Sequence, residues 1–213
     1  MDHPNRIIIF APHTDDGEIG CGGSIAKFIE GGIDLYYVAF SIARTSAIKN
    51  GFPENILEVE VKKATKVLGI QEDHLLLYDF PVREFPEYRQ GILEEMIKVR
   101  DRIKPDLIFV PSLNDIHQDH QVVAREGLRA FKRHTILGYE EPWNNIVFES
   151  RSFISLEKRH IDKKIEALKC YQSQMHRDYL TEDAIWGIAR LRGTQLEGGY
   201  AEAFEVLRWI IDA

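Results

Sequence analysis

This chain is expected to fold as an α/β protein, a mostly parallel sheet with helices on both faces. Two observations predict it. Short apolar runs of strand length recur along the first two-thirds of the chain, and amphipathic segments of helical period separate them. The runs are apolar throughout, without the alternation of a half-exposed strand, so they belong to strands covered on both faces.

The elements follow in order. Ile7-Ile8-Ile9-Phe10-Ala11 is a buried strand ended by Pro12, and Gly20–Glu30 a helix stopped by Gly31-Gly32. Leu35–Phe40 (LYYVAF) is a second strand. Glu54–Leu68 is a helix, with Ile56, Leu57, Val61, Ala64, Val67 and Leu68 at helical spacing. A third strand is expected at His74–Tyr78, a helix at Tyr88–Ile103, a fourth strand at Leu107–Val110 and a helix at Val122–Arg133. Beyond Thr135 the pattern is less regular. Strands are expected at Ile146–Phe148 and Phe153–Leu156, helices at Asp162–Gln172 and Thr181–Arg192, and a last strand or strand–helix element at Tyr200–Ile211.

No linker, repeat or low-complexity tract interrupts the 213 residues, so residues 1–213 are expected to form a single domain. A domain of this size buries about 70% of its unfolded surface and needs no disulfide. The net charge of -7, with no long basic run, argues against nucleic acid or an anionic membrane as main partner. The apolar run Ile7–Phe10 is too short for a membrane span or a signal-peptide core. Cys21 and Cys170, far apart and outside any CxxC, read as reduced thiols. A cytoplasmic protein is expected.

Open parallel sheets bind ligands beyond the carboxyl ends of their strands, and two loops at such ends carry unusual chemistry. One is Ala11-Pro12-His13-Thr14-Asp15-Asp16-Gly17-Glu18; the other runs from Pro111 through Asn114-Asp115-Ile116-His117-Gln118-Asp119-His120. So many carboxylates beside three imidazoles repel one another unless a divalent cation sits among them. His13 and Asp16 are three apart, as are His117 and His120, which in a helical turn brings each pair to one face. Asp15 must then point elsewhere. Catalytic zinc commonly takes three protein ligands and a water, a count met by His13, Asp16 and one of the later histidines. Two histidines and a carboxylate also suit iron(II). The competing structural reading is a capping turn, with Thr14, Asp15 or Asp16 capping the helix that follows.

His13-Thr14-Asp15-Asp16-Gly17-Glu18-Ile19-Gly20-Cys21-Gly22-Gly23 resembles the H-P-D-D-x-E-x-G-x-G-G signature of the LmbE-like, or PIG-L, deacetylases. His117-Gln118-Asp119-His120 resembles that family's H-P-D-H, Ala64–Gly69 its A-x-x-L-G segment, and Ala201-Glu202-Ala203-Phe204 its A-E-A-F strand. The resemblance implies a Rossmann-like fold and a zinc-dependent hydrolase that removes an N-acyl group, acetyl or formyl, from an amino sugar. It implies His13, Asp16 and His120 as metal ligands, Asp15 as base, and His117 as its assistant. A trimer or hexamer is implied as well. Thr14 and Gln118 depart from the pattern, each replacing a proline that stiffens a turn. Leu57 stands where many members carry an arginine, three residues before the glutamate matching Glu60.

In the mechanism expected, His117 works as an imidazolium that holds the oxyanion, and Asp119 orients His120 or His117. Arg44 and Asp79, after the second and third strands, reach the ligand-binding edge as candidate substrate contacts. Trp143 and Asn144 could stack on and hydrogen-bond a sugar ring. His176 and Arg177 read as a cationic helix end. The substrate would be a small amino sugar, free or nucleotide- or lipid-linked, in glycan or glycoconjugate biosynthesis. Two other functions compete: a nucleotide-binding module using Gly20–Gly23 as a phosphate loop, and a sugar-binding relic without turnover.

Overall fold

The computed structural model describes residues 4–210. Ile211, which ends the last expected element, and His3 lie outside them. Among the described residues one sheet is built from seven strands. They are β1 (Arg6–His13), β2 (Asp34–Ser41), β3 (Leu75–Leu77), β4 (Leu107–Pro111), β5 (Thr135–Tyr139), β6 (Ser152–Leu156) and β7 (Tyr200–Arg208). Their order is β3-β2-β1-β4-β5-β7-β6. The first five pair in parallel, and β7 runs antiparallel to both β5 and β6.

Residue alternation along β1 explains the layers. Ile7, Ile9 and Ala11 face one core with residues of α1 (Asp16–Glu30), α3 (Ile56–Leu68) and the end of α6 (Lys158–Leu168). Ile8 and Phe10 face a second core with α4 (Phe85–Ile103) and α5 (Gln118–Ala130). Ile7, Ile8, Ile9 and Phe10 are fully buried, each worth about 1.5–3 kcal/mol of apolar burial. A smaller cluster joins α6 to α7 (Glu182–Gly193). The short α2 (Arg44–Lys49) was not foreseen.

Strand order reverses between β1, which continues to β2, and β4, which continues to β5. That reversal opens a crevice at the carboxyl ends of β1 and β4. The two polar loops lie there.

Three expectations need correction. Ile146–Phe148 is not a strand: Ile146 and Val147 are 83% and 58% exposed, and the nearby isolated bridge, between Asn145 and Asp115, falls just before the segment. The strand is Thr135–Tyr139, whose apolar residues have β4 as a partner. The helix expected at Asp162–Gln172 spans Lys158–Leu168, because Glu157 and His160 form a capping box at its start. The helix expected at Val122 begins at Gln118, so the histidine-bearing segment is its first turn.

Candidate metal centre

His13 ends β1, and α1 starts three residues later with Asp15 at its N-cap position. No side chain caps that helix end. Asp16 turns back instead: its Oδ2 accepts the His13 backbone N–H at 2.7 Å and stands 3.1 Å from His13 Nδ1. The capping-turn reading therefore fails for this loop. It holds in part for the other, where His117 Nδ1 at the N-cap of α5 accepts the Asp119 backbone N–H at 3.1 Å.

The first turn of α5 brings in His120, whose Nε2 lies 3.3 Å from His13 Nδ1 and 3.3 Å from Asp16 Oδ2. Three ligand-type atoms thus form a triangle with edges of 3.1, 3.3 and 3.3 Å. Atoms set tetrahedrally at zinc-ligand distance stand roughly 3.3 Å apart. Behind the triangle, the outer ring nitrogens meet carboxylates: His13 Nε2 with Asp119 Oδ2 at 2.9 Å, and His120 Nδ1 with Asp115 Oδ2 at 2.8 Å. Such partners fix each tautomer with a lone pair facing inward, as a metal ligand requires. The residues fit a divalent cation. Two other combinations also bring ligand atoms within 4.8 Å, His13-His117-His120 and Asp16-His120-Glu141.

Protonation tells the same story. Burial pushes His13 down, but the Asp16 charge and the bonds to Asp119 and Asp16 outweigh it and raise His13 to about 9. Burial opposes ionisation of Asp16, yet His120 and His13 hold it well below the usual carboxylate range. The cluster demands positive charge at the triangle, which protons supply when nothing else does. His117 is pushed down to about 4, first by burial and then by His13 and His120. With Nδ1 occupied by the Asp119 amide, its proton sits on Nε2. The Asp119 carboxylate orients His13 and its backbone amide orients His117, while Asp115 rather than Asp119 orients His120.

The centre lies in a cleft of about 350 Å³, within the size range of small-molecule sites. Asp15 lines it, buried, with Arg177 Nη1 3.8 Å from its Oδ2. Burial and then Asp16 raise its carboxyl, while Arg177 and His13 oppose the rise. Trp143 and Asn144 also line the cleft, but one face of Trp143 is stacked on Tyr179, with centroids 3.6 Å apart at 10°. Arg44 and Asp79 do not line it; they pair with each other at 2.7 Å, which satisfies both charges outside the cleft. Leu57 does line it, an apolar contact where the family pattern has a guanidinium.

Thr14, in place of proline, is fully buried, and its carbonyl accepts the hydroxyls of Tyr37 at 2.8 Å and Tyr171 at 2.7 Å. The same two hydroxyls contact Glu18, so that carboxylate faces away from the triangle. Burial pushes Glu18 up to about 8. The Gly20–Gly23 segment is no phosphate loop. It lies inside α1, with Gly20 against the Tyr139 ring and the amides of Gly23 and Ser24 bonded to Glu202 at 3.0 and 2.7 Å.

The family described as PIG-L, GlcNAc-PI de-N-acetylase, matches residues 8–131, which contain both loops. This chain belongs to the PIG-L family. An uncharacterized deacetylase of Escherichia coli, YaiS, is 30% identical over 173 residues, 78% of this chain and 90% of that protein. The diacetylchitobiose deacetylase of Thermococcus kodakarensis is 25% identical over 222 residues, covering 92% of this chain and 81% of its own. Among solved structures, the 4-carboxy-2-hydroxymuconate hydratase of Pseudomonas putida superimposes with a TM-score of 0.80 at 19% identity, over 98% of each chain. That likeness concerns the fold alone, and a hydratase on it illustrates that PIG-L architecture does not by itself dictate the reaction.

Several cleft residues of this PIG-L protein went unread in the sequence. Asp115 was visible in its loop but nothing local assigned it to His120. Glu141, Arg83 and Tyr179 come from segments far apart in the chain and meet only through the fold, and Arg177, expected at a cationic helix end, instead lines the cleft beside Asp15 well beyond the end of α6.

Proposed function

We propose that this protein is a metal-dependent N-deacetylase, a hydrolase of linear amide bonds that takes an acyl group, acetyl above all, from the nitrogen of an amino sugar or sugar conjugate. The observation that carries it is the inward-facing triangle of His13 Nδ1, Asp16 Oδ2 and His120 Nε2, with a carboxylate behind each imidazole. Of the three ligand combinations this one is preferred, because both its imidazoles have such backing. Zinc is the ion proposed, with iron(II) as the alternative. The family's deacetylase relatives support the reaction.

A divalent cation held there supplies Lewis acidity toward an amide carbonyl. Asp15, buried beside the ligands and capping nothing, accepts the proton of the water that attacks the acyl carbon. It then returns that proton to the departing amine. His117 donates its Nε2–H to the developing oxyanion, in the tautomer that the Asp119 amide enforces. Trp143 and Asn144 contact the sugar from the cleft wall.

The substrate is a small amino sugar, either free or nucleotide- or lipid-linked. Residues 1–213 act as a single domain, in the cytoplasm and in a trimer or hexamer. Two free cysteines, and no helix among the described residues long and apolar enough to cross a membrane, agree with that location.

The test is bound metal by plasma mass spectrometry in wild type and His120→Ala, followed by acetate release from N-acetyl sugars. Near-stoichiometric metal lost in the variant, with acetate released by the wild type, is expected. A wild-type protein that neither carries nor takes up zinc or iron would sink the reading.

A further inference from the structure

Arg83 sits between β3 and α4 with φ of 70°, a left-handed conformation uncommon for a residue with a side chain. Two groups hold it there. Its N–H donates to Asp119 Oδ2 at 2.7 Å, and its carbonyl accepts the Gln118 side-chain amide. Both partners belong to the first turn of α5, which also carries His120, and the same Asp119 oxygen meets His13. Gln118 stands where the pattern of the family has proline. Proline has no donor, so this chain has exchanged a stiff turn for a clamp on Arg83.

Arg83 lines the cleft, as does Arg177. Several arginines outside the cleft meet carboxylates closely, Arg44 with Asp79 at 2.7 Å, Arg89 with Glu126 at 2.5 Å and Arg192 with Glu140. The two cleft arginines are held less tightly by carboxylates. Arg177 has Asp15 at 3.8 Å, and among the described residues no carboxylate lies within 4.0 Å of the Arg83 guanidinium. An exposed arginine at a ligand cleft with no carboxylate partner suits a phosphate or carboxylate, and a neutral sugar has no need of one.

We propose that Arg83, held by Gln118 and Asp119, is a specificity residue that recognises an anionic group on the substrate, with Arg177 as a second guanidinium in the same cleft. The assignment rests on the amino-sugar reading above and narrows it to phosphate- or carboxylate-bearing substrates.

The test compares metal-loaded wild type, Arg83→Ala, Arg83→Lys and Gln118→Pro. Substrates are N-acetylglucosamine, its 1- and 6-phosphates, and N-acetylmuramic acid, so that phosphate and carboxylate are distinguished. The wild type is expected to favour at least one anionic sugar over the neutral one by tenfold or more in kcat/KM. That ratio should fall at least tenfold in Arg83→Ala, mainly through KM, and by less in Arg83→Lys and Gln118→Pro. A wild type without anionic preference, or an Arg83→Ala ratio within twofold of wild type, overturns the assignment. Calorimetry with the matching phosphorylated and neutral glucosamines needs no turnover. If no sugar is hydrolysed, the deacetylase reading fails by itself. The Arg83 assignment then stands or falls on whether the phosphorylated sugars bind at least tenfold tighter, and lose that margin in Arg83→Ala.

Discussion

At the scale of single residues, the proposed centre separates holding a cation from moving a proton. Asp16 is bonded into the triangle, whereas Asp15, one residue earlier, has no capping bond and only a distant guanidinium. Asp15→Asn should keep bound metal and lose about 10²–10⁴-fold in kcat, the range of a general base, measured by metal analysis beside acetate release. Unchanged turnover would remove Asp15 from the role. Asp115 backs His120 at 2.8 Å and accepts the His117 backbone N–H at 2.7 Å. Asp115→Ala should weaken zinc affinity about 10–100-fold in a competition titration with a chelator. Arg83 carries backbone strain that glycine would not. Arg83→Gly is expected to gain about 0.5–1 kcal/mol in thermal unfolding, a sign opposite to that of most substitutions.

At the scale of elements, the position of α1 decides where Asp15 and Asp16 stand. The helix lies close on the sheet because Gly17 and Gly20 have no side chain. A Cβ at Gly20 would come within 2.3 Å of the Tyr139 ring, whose hydroxyl donates to the Phe10 carbonyl at 3.0 Å. Gly20→Ala must therefore lift the helix or displace the tyrosine, at about 1–3 kcal/mol in denaturant unfolding, with weakened metal binding alongside. A variant as stable as wild type would mean that the helix yields easily. The first turn of α5 is the second such element. It delivers His117 by its capping position and His120 by helical spacing, while Asp119 and Gln118 reach sideways to the β1 and β3 loops.

At the scale of the whole molecule, the triangle joins two separate parts of the chain, the β1–α1 turn and the start of α5, on either side of the strand-order reversal. An ion held there binds the folded protein and not the unfolded chain. Stripping it should lower stability by about 2.7 kcal/mol for metal at a hundred times its Kd. For a chain of this size, that corresponds to roughly 5–10 °C in Tm. Scanning calorimetry with and without chelator tests this, and zinc should restore the loss. An unmoved Tm would argue that the triangle is not a metal site.

Much of this was legible in the residues, because it is local. Ile7–Phe10 and Leu107–Val110 are apolar on both faces and can only be covered strands, and a histidine–carboxylate cluster following each of them already points to a cation. The order of those residues also carries the family. Tertiary structure alone decided three things. It set which carboxylate backs which imidazole, because Asp119 meets His13 across 106 positions of sequence. It made Thr135–Tyr139 the strand rather than Ile146–Phe148, because a strand needs paired neighbours and Thr135–Tyr139 has β4 on one side and β7 on the other. It moved Arg44 and Asp79 out of the cleft and put Arg83 and Arg177 in, because charge pairing is settled by distance in space and not by nearness to a strand end.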